Sequence, residues 1–292
     1  MENLKRFIQI ILVSTPLLIL SGCSNFSKDD LNKPIQEYLK TNYGIQDEFT
    51  VIKTDNNWFE GIDHHTTIEI KKPYHAYPNL TIKRDTLQIL GDESDDIYLA
   101  QFKGAYIKQH PEVVQVMKQI IKKYGLVKYP NKVVLKEDSP ISIFPYTNIR
   151  LNIINSQVLL DDFKKTQRID TIDLLPKLKP SDPRRAYFNS RFVGVVNFLF
   201  EFDMYENKHP IPKAKDLIED FQKSGVLKKG VYNIDMLVKD STTGDSSVME
   251  KCNVALFEVD EIGQYTIIAS PTYDEVDKSY FYGDYEAKKM KE

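Results

Sequence analysis

Cysteine is scarce in this chain: two residues in 292, Cys23 and Cys252, too few for a disulfide-braced scaffold. Glycine is sparse as well, with 12 in all, too few to suggest backbone loops shaped around phosphates. A serine-nucleophile elbow (G-x-S-x-G), S-x-x-K, H-E-x-x-H, C-x-x-C, a P-loop and G-x-G-x-x-G are all missing, so none of the hydrolase, metalloprotease, redox or nucleotide chemistries they carry is indicated. Carboxylates are abundant but scattered, and no acid/base pair stands out. A positive excess is lacking too: 39 basic against 42 acidic residues give a net charge of −3, the wrong balance for a nucleic-acid binder. With 41% hydrophobic and 28% charged residues the chain can bury a core, and its length suits one large domain or two of about 130 residues.

Only one long apolar run exists, and it lies at the start. Lys5 and Arg6 precede Phe7 to Leu20, interrupted by Gln9, Ser14, Thr15 and Pro16, the layout of a secretory signal peptide. As a helix this run reaches only about 21 Å, short of a hydrocarbon core about 30 Å thick. It ends in Leu20-Ser21-Gly22-Cys23, which resembles the lipobox of bacterial lipoproteins. That resemblance implies cleavage before Cys23 and a diacylglyceryl group on its thiol, anchoring the mature chain to the extracytoplasmic face of the cell membrane. Loss of residues 1–22, with Lys5, Arg6 and Glu2, makes the net charge one unit more negative and leaves Cys252 as the only other thiol. The mature body then holds together by its core alone.

Residues 23–30 read as a lipidated polar tether. A helix follows, with Asn32 as cap, Ile35, Tyr38 and Leu39 on one face and Gly44 as stop. Strand-like runs come next at Phe49–Lys53, Thr66–Ile70 and Leu80–Leu90. Leu99, Phe102 and Tyr106 mark a second helix. Pro111 opens a third, whose stripe of Val113, Val114, Met117, Ile120, Ile121 and Tyr124 is the clearest in the chain. Strands at Lys132–Lys136 and Asn148–Ile154 lead to a short helix, and the proline-bearing stretch around Asp170–Arg185 reads as a connection. Beyond it, Arg191–Met204 alternates Phe192, Val196, Phe198, Phe200, Phe202 and Met204 on one face and reads as a central strand. A helix with Ala214, Leu217, Ile218 and Phe221 inward ends at Gly225, and a hairpin around Ser241–Ser246 and a last strand at Gln264–Ser270 close the series. The whole predicts an α+β fold, mostly antiparallel sheet with helices on one side. Its halves, 31–155 and 191–292 joined by 156–190, are open to reading as related subdomains. The echo of Tyr-Gly at Tyr43-Gly44 and Tyr124-Gly125 fits either such a repeat or simply the way helices end at glycine.

The "NYG" helix end, the middle helix pair, and "PIPKAKDLIEDFQKSGVLKKGVYNIDMLVKD" after a long aromatic strand resemble a family of uncharacterised Gram-positive lipoproteins, staphylococcal and bacillary, across most of the mature chain. The resemblance implies a membrane-anchored extracytoplasmic protein and assigns no catalytic residue.

Four clusters are candidates for chemistry. Asp63, His65 and His75 fall close enough to converge on a metal across a hairpin, while His64 would point to the opposite face from His65. The acids Asp92, Glu93, Asp95 and Asp96 offer calcium ligands or, more simply, helix caps. Cys252 sits on a strand beside Val254 and Leu256 and reads as a small buried apolar residue. Tyr280, Phe281, Tyr282 and Tyr285 in the acidic tail offer aromatic contacts to a partner or to the domain itself. No cofactor is expected. The functional expectation is a non-enzymatic binding protein of the envelope that meets a protein, peptide or envelope component, with a cell-wall or peptide hydrolase and a small-ligand carrier as alternatives.

Overall fold

The computed structural model describes residues 27–56, 63–83, 86–92, 96–127, 147–151, 153–179, 192–203, 207, 209–239 and 251–269. The leader and lipobox expected at the start, the strand expected at Lys132–Lys136, the turn expected at Ser241–Ser246 and the tail from 270 to 292 lie outside the described residues. Among the described residues no helix is long and apolar enough to cross a membrane.

The fold is α+β. Helix α1 (Asn32–Tyr43) precedes strands β1 (Phe49–Asn56), β2 (Asp63–Ile70), β3 (Asn79–Lys83) and β4 (Ile89–Asp92). Helices α2 (Asp96–Gln109) and α3 (Pro111–Tyr124), strand β5 (Thr147–Leu151), helix α4 (Ile153–Thr166) and the short α5 (Thr171–Leu174) follow. The chain closes with β6 (Gly194–Asp203), α6 (Ala214–Ser224), β7 (Gly230–Lys239), β8 (Lys251–Val259) and β9 (Tyr265–Ala269). Strands β1 to β4 form one antiparallel sheet in chain order, and β5 to β9 form the second. Among the described strands β6 and β7 pair in parallel and the other pairs are antiparallel, because α6 carries the chain back across the sheet between β6 and β7.

Helix ends follow local chemistry. Gly44, Gly125 and Gly225 take φ of +70°, +63° and +65° after α1, α3 and α6, freeing the next N–H groups to turn back onto the last carbonyls. Asn32 does not cap α1: a 3-10 turn at Lys28–Leu31 runs directly into the helix, and Ser27 caps that turn instead. The run expected as one strand at Leu80–Leu90 is two, β3 and β4, because Lys83 and Gln88 close a tight hairpin with Leu87 at φ +55°.

One cluster of buried side chains touches both sheets. It takes Ile68, Ile70, Leu80 and Ile82 from the first sheet and Ile35 and Leu39 from α1. From α2 to α4 it adds Phe102, Val113, Ile120 and Phe163, and from the second sheet and α6 Val196, Phe198, Ile234, Phe257 and Phe221. Residues 156–190, expected as a connection, contribute α4 and α5 to this body, with Phe163, Ile169, Leu175 and Leu178 buried. Across the second sheet the rings of Phe221, Phe198, Tyr232, Phe257 and Tyr265 stack in series at 4.9, 6.0, 5.6 and 5.7 Å between centroids.

Candidate functional site

Strand β2 alternates sharply. His64, Thr66, Ile68 and Ile70 are buried against the core, while His65, Thr67 and Glu69 face outward, as the pleat requires. The chain then turns, and Ile70 and Ala76 exchange backbone hydrogen bonds at 2.9 and 2.8 Å, so that residues 75–77 run back over the end of β2. This sets His75 and Tyr77 on the outer face and Tyr74 on the inner one.

On that outer face His75 and Glu69 meet at 2.7 Å, Nε2 to Oε1, and the Tyr77 hydroxyl donates to the same carboxylate oxygen at 3.1 Å. The two rings lie 4.9 Å apart. Burial by itself would raise the Glu69 pKa, but the hydrogen bonds from His75 and Tyr77, with the charges of His75 and Lys71, outweigh it and hold the carboxyl below its usual range. Beside this trio on the same face the Thr67 hydroxyl donates to the Asn79 side chain at 2.6 Å, and His65 stands exposed opposite Thr81. The result is a half-exposed platform with an anchored imidazole, a phenol, a carboxylate and small polar groups, suited to hydrogen bonding and stacking against a polar ligand or peptide.

The loop that presents His75 is clamped from beneath. Gln101 on α2 forms a paired hydrogen bond with the Tyr74 backbone, accepting from its N–H at 3.1 Å and donating to its carbonyl at 3.0 Å. The Tyr74 hydroxyl donates to the Ile169 carbonyl at 3.0 Å and accepts the Ile169 N–H at 2.8 Å. Gln109 donates to that same carbonyl at 2.7 Å and accepts from both the N–H and hydroxyl of Thr171, at 2.9 and 2.6 Å. Because the Thr171 proton is committed to Gln109, the buried His110 donates through Nε2 to Thr171 Oγ1 at 3.0 Å. Burial, the main cause, lowers the His110 pKa; Glu112 opposes this and the charge of Lys228 adds to it.

The metal trio does not assemble from this geometry. His75 is engaged by Glu69, and His65 lies four residues back along β2, about 13 Å at the usual strand rise. Asp63 sits two residues further on, opposite Lys83, its side chain outside the description. Among the described residues no group of three or more His, Cys, Asp or Glu side chains could hold a metal. Asp92 and Asp96 bound β4 and α2, with Glu93 and Asp95 outside the described residues. Cys252 falls opposite Leu237 in the β7/β8 register. Leu20, Ser21, Gly22 and Cys23, and Tyr280, Phe281, Tyr282 and Tyr285, lie outside the described residues.

A second polar cluster escaped the sequence reading. The parallel register sets Asn197 on β6 opposite Asn233 on β7, on the sheet face away from the aromatic series. Asn197 donates to Asp235 at 2.7 Å, and Asn233 donates to Asn197 and Asp235 at 3.0 and 2.8 Å, with Val195, Val231 and Leu256 packed on the same face. The three are nearly fully buried, and Asn233 Oδ1 accepts no hydrogen bond. The signal was present as Asn in phase within two alternating strands, but only the parallel pairing brings them together.

No protein-family model, curated protein or solved structure matches this chain.

Proposed function

We propose that this chain is a lipid-anchored extracytoplasmic binding protein of the bacterial envelope, and that the outer face of the first sheet is where it meets a protein or peptide partner. The observation that carries the reading is Cys23 placed directly behind Leu20-Ser21-Gly22 at the end of an apolar run too short to span a bilayer. The platform of Glu69, His75 and Tyr77 supports the second half: its polar groups are held in place and open to solvent on one side. The aromatic tail is a further contact region in this reading.

Growth of a lipoprotein-processing bacterial host with an alkyne palmitate analogue should label the full chain and not Cys23→Ala. Crosslinked membranes should then yield one reproducible partner with the parent, lost with His75→Ala and Tyr77→Ala variants that melt like the parent. Recovery of the same proteins by all three would refute the platform, and an unlabelled parent would refute the anchor.

The His75 to Glu69 contact also favours a second reading, a hydrolase of cell-wall or peptide substrates with a carboxylate-oriented imidazole as base. Turnover of wall fragments that vanishes in His75→Ala would establish it. Turnover unchanged in both His75→Ala and His65→Ala would dismiss those side chains.

A further inference from the structure

We infer that the end of the body bearing Ser27 and the start of α1 is held against the bilayer, so that this protein works at the membrane surface; the inference rests on the lipid anchor proposed for Cys23. The described body starts at a capped turn. The Ser27 N–H and hydroxyl donate to the Asp30 carboxylate at 2.8 and 3.0 Å, and the Asp30 N–H donates back to Ser27 Oγ at 3.3 Å. Leu31 and Ile35 follow at 2% and 0% exposure. Lys28, Asp29 and Asp30 therefore belong to a capped turn and not to the tether expected through residue 30.

That leaves Ser24, Asn25 and Phe26 between the lipidated residue and the first capped one. The four links from Cys23 to Ser27 span at most about 14 Å even when fully extended. A chain of this length folds to a radius of gyration of about 18 Å, hence a body roughly 45 Å across. A tether shorter than the radius of the object it holds cannot let that object stand clear of the surface or turn its attachment point away. Charge does not compete with this constraint: Lys28 and Lys33 balance Asp29 and Asp30, far from the cluster of about four to eight basic residues that adsorbs proteins to anionic lipid. A partner must accordingly present its surface within roughly 60 Å of the headgroups, a tether length plus one body diameter.

The test uses the full-length lipidated protein in phosphatidylcholine vesicles containing phosphatidylglycerol and a headgroup-linked energy-transfer acceptor. A donor dye is placed through a bio-orthogonal residue at Lys33, exposed on the first turn of α1. A second variant carries a Gly/Ser spacer of about 20 residues between Phe26 and Ser27, which adds roughly 25 Å of reach and should lower transfer by about half or more. The spacer leaves the Ser27–Asp30 cap intact, and matching thermal melts check that it does. Efficient transfer in the parent, insensitive to salt and lost with the spacer, is the expected result. A parent that floats with vesicles but transfers no better than the spacer variant, or only at low salt, overturns the placement alone. A parent that does not float overturns the anchor, and the placement with it.

Discussion

Gly104 on α2 is the sharpest point at which to perturb the platform without touching it. A Cβ added there would stand 2.3 Å from the His75 carbonyl oxygen and 3.1 Å from Tyr74 Cβ, the first of these a backbone atom that cannot rotate away. In an open helix the change to alanine gains about 1 kcal/mol, so the sign of the effect is itself the test. Overpacking of this kind costs about 1–3 kcal/mol, and lifting the loop strains the Gln101 pair and the Tyr74 link to Ile169, buried hydrogen bonds worth about 1 kcal/mol each. Gly104→Ala should therefore destabilise by about 2–3 kcal/mol net, a fall in Tm of roughly 3–5 °C for a chain of this size. Urea unfolding read against the parent gives the magnitude, with Lys118→Ala, exposed on α3, as a near-neutral control. Faster amide exchange at Tyr74 and Ile169 than at α3 would place the damage in the loop clamp. A variant as stable as the parent, or more so, would refute the claim that α2 and the His75 loop are in contact through a bare glycine.

Other outcomes follow from the same contacts. His110 has its pKa lowered from 6.5 by burial, so the unfolded chain takes up a proton that the folded chain resists; stability is full above about pH 6.5 and declines as the pH falls through it. His110→Gln should flatten that decline in denaturant melts at about pH 7.5 and 5.5, a window above the one in which Glu69 titrates, and an identical slope would show that His110 is not its source. Phe198→Ala should cost about 3–5 kcal/mol, since the ring is fully buried between Phe221 and Tyr232; a loss below about 1 kcal/mol would mean that the aromatic series is not close-packed. Lys123 donates to both Asp220 oxygens at 2.6 and 2.8 Å, yet its side chain is 51% exposed, so Lys123→Ala should cost less than about 1 kcal/mol and the loss should shrink in high salt.

How far the sequence could be read depended on whether a feature was local. The stripe of α3, the inward face of α6 and the phenylalanine alternation of β6 are periodic, and each folds as its period demands because one face finds the core. The glycine stops are local as well. The hairpin within Leu80–Leu90 was missed because its turn, Lys83 to Gln88, carries neither glycine nor proline to mark it, and it depends on Leu87 adopting a conformation that leucine rarely takes. Tyr74 and Ile169 are 95 residues apart in sequence, and no period connects them. Asn197 and Asn233 sit on strand faces that alternation alone would assign to solvent, since it cannot distinguish a parallel neighbour from an antiparallel one or say which faces are covered. His65 and His75 looked close on the chain, but a reversal centred on residues 71–75 returns His75 to Glu69, near the turn, and leaves His65 further along the strand.

The same clamp bears on what kind of site the platform is. Loop side chains that recognise partners commonly lose conformational freedom on binding, at about 0.5–1.5 kcal/mol for each one immobilised. Here that ordering is already present in the free protein: Glu69 is fixed by its strand, and His75 by Glu69 above and by the carbonyl seated on Gly104 below. Tyr74 is tied to Ile169 and through it to Gln109, Thr171 and His110. A lid or gate draws on the least stable parts of a fold, with few buried contacts and exposed backbone hydrogen bonds, and this loop has the opposite character. A pre-ordered polar face fits recognition of a partner with little rearrangement, and under the proposed lipid anchor its binding should be limited by encounter at the membrane surface and not by loop closure.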